Sequence, residues 1–131
     1  MLFHETLFYE TGANLTALVH LAFIAFVIFG AVLGVRSRWW RAAHLAAMAY
    51  GVAIEIFYWY CPLTLLEQFL RERSGRGSYS EPFIAHYLNR IIYLDVPQGS
   101  LIAAAVIVLV LNATLYIRLL AREPAKARQI T

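Results

Sequence analysis

Cysteine is almost absent from this sequence, and charged residues are few. The single cysteine, Cys61, excludes an intramolecular disulfide and a cysteine-rich metal site. Charged residues make up 15% of the 131 residues, whereas soluble domains contain about 25%. Hydrophobic residues make up 61% and stand in long blocks rather than in alternation with polar ones. The composition therefore indicates a small integral membrane protein with a single membrane domain, residues 1–131, and argues against a soluble globular enzyme.

The first 13 residues lack lysine and arginine. A secretory signal peptide begins with a basic stretch, so this segment does not have the form of one. Glu5 and Glu10 make it acidic, and its aromatic residues suit the headgroup zone of a membrane. We expect the segment to be retained and to lie at the membrane interface.

Three apolar runs are long enough to cross the roughly 30 Å hydrocarbon core of a bilayer. They cover residues 14–35, 42–60 and 101–120. A very short basic turn, residues 36–41, joins the first two runs, so the second must return antiparallel beside the first. We therefore predict an all-α integral membrane bundle with three transmembrane spans. The polar outer connection, residues 61–99, is expected to contain two short interfacial helices.

The basic residues concentrate in that turn and in the tail after Ile117. With three spans, both places lie on the same side of the membrane, and the positive-inside rule assigns that side to the cytoplasm. The N-terminus then lies outside and the C-terminus inside. Because basic residues beside spans set topology, we expect the lipid bilayer as a partner and no nucleic acid.

The segment from Trp59 to Glu67 (WYCPLTLLE) marks the corner at which the second span ends. Pro62 lacks an amide donor and disfavours a helical residue before it, so the helix should stop or kink there. Thr64 and Glu67 have the spacing of a capping box, in which each side chain accepts a hydrogen bond from the other residue's amide. Cys61 has no basic neighbour in sequence, which favours an inert, partly buried thiol over a reactive or lipidated one.

Ionisable side chains inside the spans are candidates for function, since ionisation in a bilayer costs at least about 2.5 kcal/mol. At 1.5 Å per residue, His20 and Glu55 lie at the same depth, roughly 9 Å below the outer surface. With His86 from the outer connection, they form the predicted cofactor-binding group. Glu55 is either a proton-carrying or quinone-headgroup site or, as we favour, the partner of His20 in a structural hydrogen bond.

A second, inner group comprises His44, Asn112 and Tyr116. Since His20 and His44 differ by about 15 Å in depth, we do not expect them to share one haem iron. A haem between His20 and His86 would require the second short helix to fold over the bundle. The sequence contains no local spacing of metal ligands such as HxxxH or CxxC, so no metal site of His20, His86 and Glu55 is predicted. Haem and quinone both stay open as cofactors, and neither is favoured.

Gly30 and Gly34 form a GxxxG sequence in the first span. Such a pair of glycines allows another helix to approach closely, either within the chain or in a partner subunit. Asn112 is expected to hydrogen-bond between helices.

Several of these residues form one pattern: His20, His44 and Glu55, then C-P-L-T-L-L-E at 61–67 and F-I-A-H-Y at 83–87. This pattern resembles a family of small bacterial helical membrane proteins of unknown function with a C-P-L-T-x-L-E signature. The resemblance covers most of the chain, from the first span to the third. It implies a helical protein of the bacterial inner membrane, and it implies no activity, substrate or cofactor.

With the short helices at the interface, almost none of the chain is expected to lie outside the membrane, and three spans enclose little volume for chemistry. We therefore expect a non-enzymatic accessory or scaffold subunit of a larger inner-membrane assembly, respiratory or photosynthetic, with other membrane subunits as partners. The alternative is a redox-linked membrane protein that binds a quinone or haem near the outer membrane face.

Overall fold

The computed structural model describes residues 3–93 and 95–128, and from residue 123 onward the backbone only. Six helices follow one another along the described chain: α1 (Phe3–Phe29), α2 (Ala31–Gly34), α3 (Arg38–Phe57), α4 (Pro62–Arg73), α5 (Phe83–Ile92) and α6 (Gln98–Arg128). The described residues contain no strand. The predicted all-α fold class is therefore confirmed.

Two of these helices are long and apolar enough to cross a membrane, Phe3–Phe29 and Gln98–Arg122. Their mean hydropathies over 18-residue windows are 2.0 and 2.3. α3 and α4 pass the same criterion only together, as a pair bent by 69°. The described chain thus has two candidate spans, or three if the bent pair forms one span.

α1 continues through the segment that was expected to lie at the interface. Its 27 residues extend about 40 Å, which exceeds the roughly 30 Å of a hydrocarbon core. The described part of that segment, residues 3–13, forms the first turns of this helix. The segment is therefore helical and continuous with α1, and α4 packs beside it. Its position at the membrane interface stays a prediction.

α4 runs antiparallel along the N-terminal half of α1. Thr64, near the start of α4, lies beside His20, and the two side chains are joined by a long hydrogen bond of 3.4 Å. Arg76, just beyond the end of α4, forms an ion pair with Glu10. The first part of the outer connection, from Thr64 to Arg76, is therefore folded onto α1.

The corner before α4 forms at the position that Pro62 indicates. Tyr58, which follows α3, has a left-handed φ of 54°, and Pro62 opens α4. The predicted capping box is wrong, because the N-cap residue is Cys61 and Thr64 and Glu67 lie inside the helix. Proline fixes φ and needs no acceptor for an amide, so the helix begins two residues before Thr64. Both polar side chains are thereby free to contact other elements.

Gly30 precedes the short helix α2 and Gly34 is its last residue, and the two glycines allow two other helices to approach closely. A Cβ atom at Gly30 would clash with the imidazole of His44, and one at Gly34 would clash with the hydroxyl of Tyr116. Of the two alternatives for the GxxxG sequence, the structure shows packing within the chain.

Gly34→Ala should destabilise the bundle by about 1–3 kcal/mol, because the added methyl group must displace the Tyr116 hydroxyl. Gly51→Ala is the matched control, since a Cβ atom there meets Val27 at an ordinary contact distance of 3.9 Å. Reversible unfolding in mixed micelles, followed by circular dichroism, measures both variants. Equal stability of the two would contradict the packing of Gly34 against Tyr116.

Candidate functional site

A cavity of about 570 Å³ lies between α1, α3 and α6. Its wall is largely apolar, with Ile24, Val52 and Val108 among the lining residues. The polar lining residues gather towards the end at which α3 gives way to the corner and α6 begins: His20, Glu55, Thr64, Ser80, Glu81, Gln98 and Ser100. The described lining contains no lysine or arginine.

The ring of His20 is only 6% exposed and borders this cavity. Its Nδ1 atom lies 3.4 Å from the hydroxyl oxygen of Thr64, and its face stacks on the ring of Phe83 with centroids 4.0 Å apart. The other ring nitrogen, Nε2, has no hydrogen-bond partner among the described residues. A molecule in the cavity can therefore hydrogen-bond Nε2 without displacing another partner of that atom.

Glu55 lines the same cavity from α3, but it has a different partner from the one expected. Its Oε2 atom accepts a hydrogen bond of 2.9 Å from the side-chain amide of Gln98. Within the described residues, no hydrogen bond joins Glu55 to His20, so the predicted direct bond between them is wrong. The reason is that α6 begins at Gln98, before the predicted start of the third span, and brings an amide to the carboxyl group.

His86 lies outside the cavity lining. Its ring stacks on Tyr79 with centroids 3.7 Å apart, and its Nδ1 atom lies 3.3 Å from a carboxylate oxygen of Glu81. The structure therefore places His20 and Glu55 on one cavity and His86 away from it. No group of three or more potential metal ligands of the His, Cys, Asp or Glu types occurs among the described residues.

Glu67 organises a polar cluster that the sequence analysis missed. Its carboxylate is fully buried and accepts three hydrogen bonds: from Nε of Arg71 at 2.8 Å, from the hydroxyl of Tyr79 at 2.8 Å and from the hydroxyl of Tyr87 at 2.7 Å. Arg71 also donates to the Tyr87 hydroxyl at 2.6 Å. We call these four residues the Glu67 cluster. They join α4 to the loop after it and to α5.

Both tyrosines of the cluster favour their protonated form. Burial raises the pKa of Tyr79 and of Tyr87 above the ordinary tyrosine value, and the hydrogen bond that each donates to Glu67 raises it further. Both hydroxyls therefore stay donors over the physiological pH range. The spacing of Glu67 and Arg71, four apart on a helix, was a signal for this cluster, but the capping-box interpretation assigned the carboxylate to the backbone.

His44 is fully buried at the other end of the bundle. Its Nε2 atom lies 3.0 Å from the carbonyl oxygen of Val27, and a carbonyl only accepts, so the proton is on Nε2. In a neutral imidazole Nδ1 is then an acceptor, and the hydroxyl of Tyr116 donates to it at 2.7 Å. His44 therefore joins α1, α3 and α6 at one point.

Asn112 makes a similar contact beside it. Its side-chain amide donates to the carbonyl of Ile28 at 3.3 Å and to that of Val108, in its own helix, at 2.9 Å. Val27 and Ile28 belong to the last turn of α1, where a helix leaves its carbonyls without partners in its own backbone. The inner group of His44, Asn112 and Tyr116 is thus a set of interhelical hydrogen bonds.

Cys61, the remaining residue singled out in the sequence, is a free thiol of intermediate exposure. It lies at the corner and lines the cavity.

Tyr116→Phe should destabilise the bundle by about 1 kcal/mol. The substitution leaves Nδ1 of a buried imidazole without a donor, which costs about 1–3 kcal/mol in proteins generally, while polar pairs between membrane helices average about 0.6 kcal/mol. Tyr50→Phe is the control, because Tyr50 is 43% exposed and its ring only packs edge-on against Phe23. Unfolding in mixed micelles measures both, and equal effects would contradict the assigned role of Tyr116.

Comparison with known proteins gives one family. A model described as "Protein of Unknown function (DUF2784)" matches residues 10–121, a region that contains the whole described cavity lining, the Glu67 cluster and the inner group. No curated protein and no solved structure matches the chain. Because the match spans most of the sequence, the chain belongs to the DUF2784 family.

Proposed function

We propose that this protein binds a small amphipathic molecule of the quinone class in the cavity between α1, α3 and α6. The observation that carries this proposal is an apolar cavity of about 570 Å³ whose polar end includes His20, with a ring nitrogen, Nε2, that has no hydrogen-bond partner among the described residues. Small-molecule sites typically have volumes of about 300–1,000 Å³, apolar walls and a few polar groups that orient the ligand.

A neutral ring that carries carbonyl groups suits the polar end better than a charged headgroup does. Two acidic residues, Glu55 and Glu81, belong to the described lining, and it contains no lysine or arginine that would bind a phosphate. The free nitrogen of His20 and the amide of Gln98 are placed on different helices, α1 and α6, and both can donate to carbonyl oxygens. An apolar tail would follow the wall formed by residues such as Val52 and Val108.

A haem fits this cavity less well than a quinone does. A haem iron held by two imidazoles would need a second histidine beside His20. His44 is engaged by Val27 and Tyr116, and His86 stacks on Tyr79 outside the cavity lining. A quinone needs one imidazole donor only.

We further propose that the chain crosses a bacterial inner membrane three times, through α1, α3 and α6, with the N-terminus outside and the C-terminus in the cytoplasm. Seven basic residues and one acidic residue lie in the turn 36–41 and in the tail after Ile117, which supports this orientation. The resemblance of the segment 61–67 to a bacterial family supports the choice of membrane. In this arrangement α4, α5 and the polar end of the cavity are on the outer side.

The orientation predicts where introduced cysteines react. In a Cys61→Ala background, Ser78→Cys should be labelled by a membrane-impermeant maleimide in spheroplasts, because the loop after α4 is outside. Lys126→Cys should react only after the membrane is permeabilised. The reverse pattern would contradict the proposed topology.

The protein itself is proposed to be non-enzymatic, as an accessory subunit that holds its ligand within a larger membrane assembly. Outside the three long helices, the described chain forms short helices and their connections, and the absence of a larger soluble unit among the described residues supports this role. Other membrane subunits would then contact the exposed apolar faces, for example that of α6 around Ile107 and Leu111.

Tryptophan fluorescence provides a direct test of binding. Trp39→Phe and Trp40→Phe leave Trp59, which lines the cavity, as the sole reporter. Titration with a short-tailed ubiquinone analogue should quench its fluorescence to saturation. His20→Phe, which keeps an aromatic ring against Phe83 but removes the donor, should weaken binding about tenfold, the value of one hydrogen bond.

Cavity filling provides the matched control for this titration. Ala105 lines the cavity and Ala103 is exposed two residues away on the same helix. Ala105→Phe should abolish saturable quenching, whereas Ala103→Phe should not change it. Non-saturating quenching that is identical in both variants would contradict quinone binding. If quinone binding were contradicted in this way and the unmodified protein still migrated in a larger complex after mild solubilisation, only the proposal of an accessory subunit would remain.

A further inference from the structure

We infer that Glu67 is a positioning residue of the ligand site, because it holds residues 79–92 as a lid over the outer end of the cavity. We call this segment the lid. The inference rests on the proposed function because it takes the cavity as the ligand site. The lid itself is defined by contacts within the chain, which do not involve a ligand.

The lid forms part of the cavity wall. Residues 80–84 and Leu88 line the cavity, on the side that faces the corner between α3 and α4. Phe83 is a buried residue of the lid: it is 8% exposed and stacks on the imidazole of His20. Displacing the lid would therefore open the cavity and remove the ring that orients His20.

The Glu67 carboxylate is the attachment point of the lid on α4. The hydroxyl of Tyr79 binds one of its oxygens, and the hydroxyl of Tyr87 binds the other. These tyrosines lie at the start of the lid and in the middle of α5. Arg71 donates to both Glu67 and Tyr87, so the attachment also has a cation that offsets the buried negative charge.

The lid also has contacts that do not involve Glu67. They include the Phe83 stack, the guanidinium of Arg71 over the rings of Tyr79 and Tyr87, and the packing of α5 against α6. The segment that precedes the lid contains Gly75 and Gly77, both with left-handed φ, and nothing lies within 4 Å of a Cβ atom built on either. A short, exposed hinge of this kind permits the lid to move once its bonds to Glu67 are lost.

The single native cysteine reports the state of the lid. Cys61 lines the cavity, so its reaction rate with a bulky, membrane-impermeant maleimide measures access to that cavity. In the full chain in lipid nanodiscs without added ligand, Glu67→Gln should raise this rate at least tenfold. The amide nitrogen that replaces one carboxylate oxygen cannot accept a hydrogen bond from a tyrosine hydroxyl. Glu72→Gln, an exposed change on the same helix, is the matched control and should leave the rate unchanged.

Two further variants separate opening of the lid from general unfolding. The double variant Tyr79→Phe/Tyr87→Phe keeps the pair of Glu67 and Arg71 but removes both hydroxyls of the lid, and it should also accelerate the labelling of Cys61. Ala31 is 4% exposed and does not line the cavity. In a Cys61→Ala background, Ala31→Cys should stay protected in the presence of Glu67→Gln, since only the lid opens.

Unchanged labelling of Cys61 in both the glutamine and the double phenylalanine variants would overturn the inference. Rapid labelling at position 31 in the Glu67→Gln protein would overturn it as well, because Glu67 would then support the whole bundle rather than the lid. Neither result depends on whether a quinone binds. Failure of the lid and failure of the proposed ligand are therefore distinguishable.

Discussion

Burying the carboxylate of Glu67 is the constraint on which the outer half of the molecule depends. A charged group removed from water must be paired and fully hydrogen-bonded, and loss of one partner of a buried pair costs about 3–5 kcal/mol. Arg71 supplies the opposite charge within the same helix, but Tyr79 and Tyr87 come from later in the chain. The hydrogen bonds of one carboxylate therefore bring a loop and a second short helix back over α4, and the outer connection acquires a defined structure.

The two ends of the cavity are held in different ways. At the inner end, His44 and Asn112 satisfy backbone carbonyls of α1, and Gly34 lets Tyr116 approach the backbone of α2. These contacts join three long helices by short side chains that have little freedom to rearrange. At the outer end, the wall is a lid joined through tyrosyl hydroxyls. A site that is rigid at its apolar end and closed by a separate segment at its polar end is suited to admitting a ligand from the outer side.

The sequence predicted those features that depend on composition and on local chemistry. The apolar runs, the stop at Pro62 and the common depth of His44, Asn112 and Tyr116 all follow from residue type and from the rise of a helix. The partners of Glu55 and Thr64 were not predictable in this way. They depend on α6 starting three residues early and on α4 lying along α1, which are tertiary outcomes. The Glu67 cluster was missed for the same reason, since its tyrosines are 12 and 20 residues away in sequence.

If α1 spans a membrane as proposed, its length limits the membrane thickness that suits this protein. Measured along the helix from Gly34, residue 14 lies about 30 Å away and Glu10 about 36 Å away. In a bilayer with a hydrocarbon core of about 30 Å, the ion pair of Glu10 and Arg76 stands about one helical turn above the acyl chains, among the headgroups. A core thicker than about 36 Å would have to take up this pair or thin around it, at a cost that grows with each ångström of mismatch. In the proposed three-span arrangement, the ion pair would therefore limit how deeply α1 can enter the bilayer, and α1 would favour thinner membranes over thicker ones.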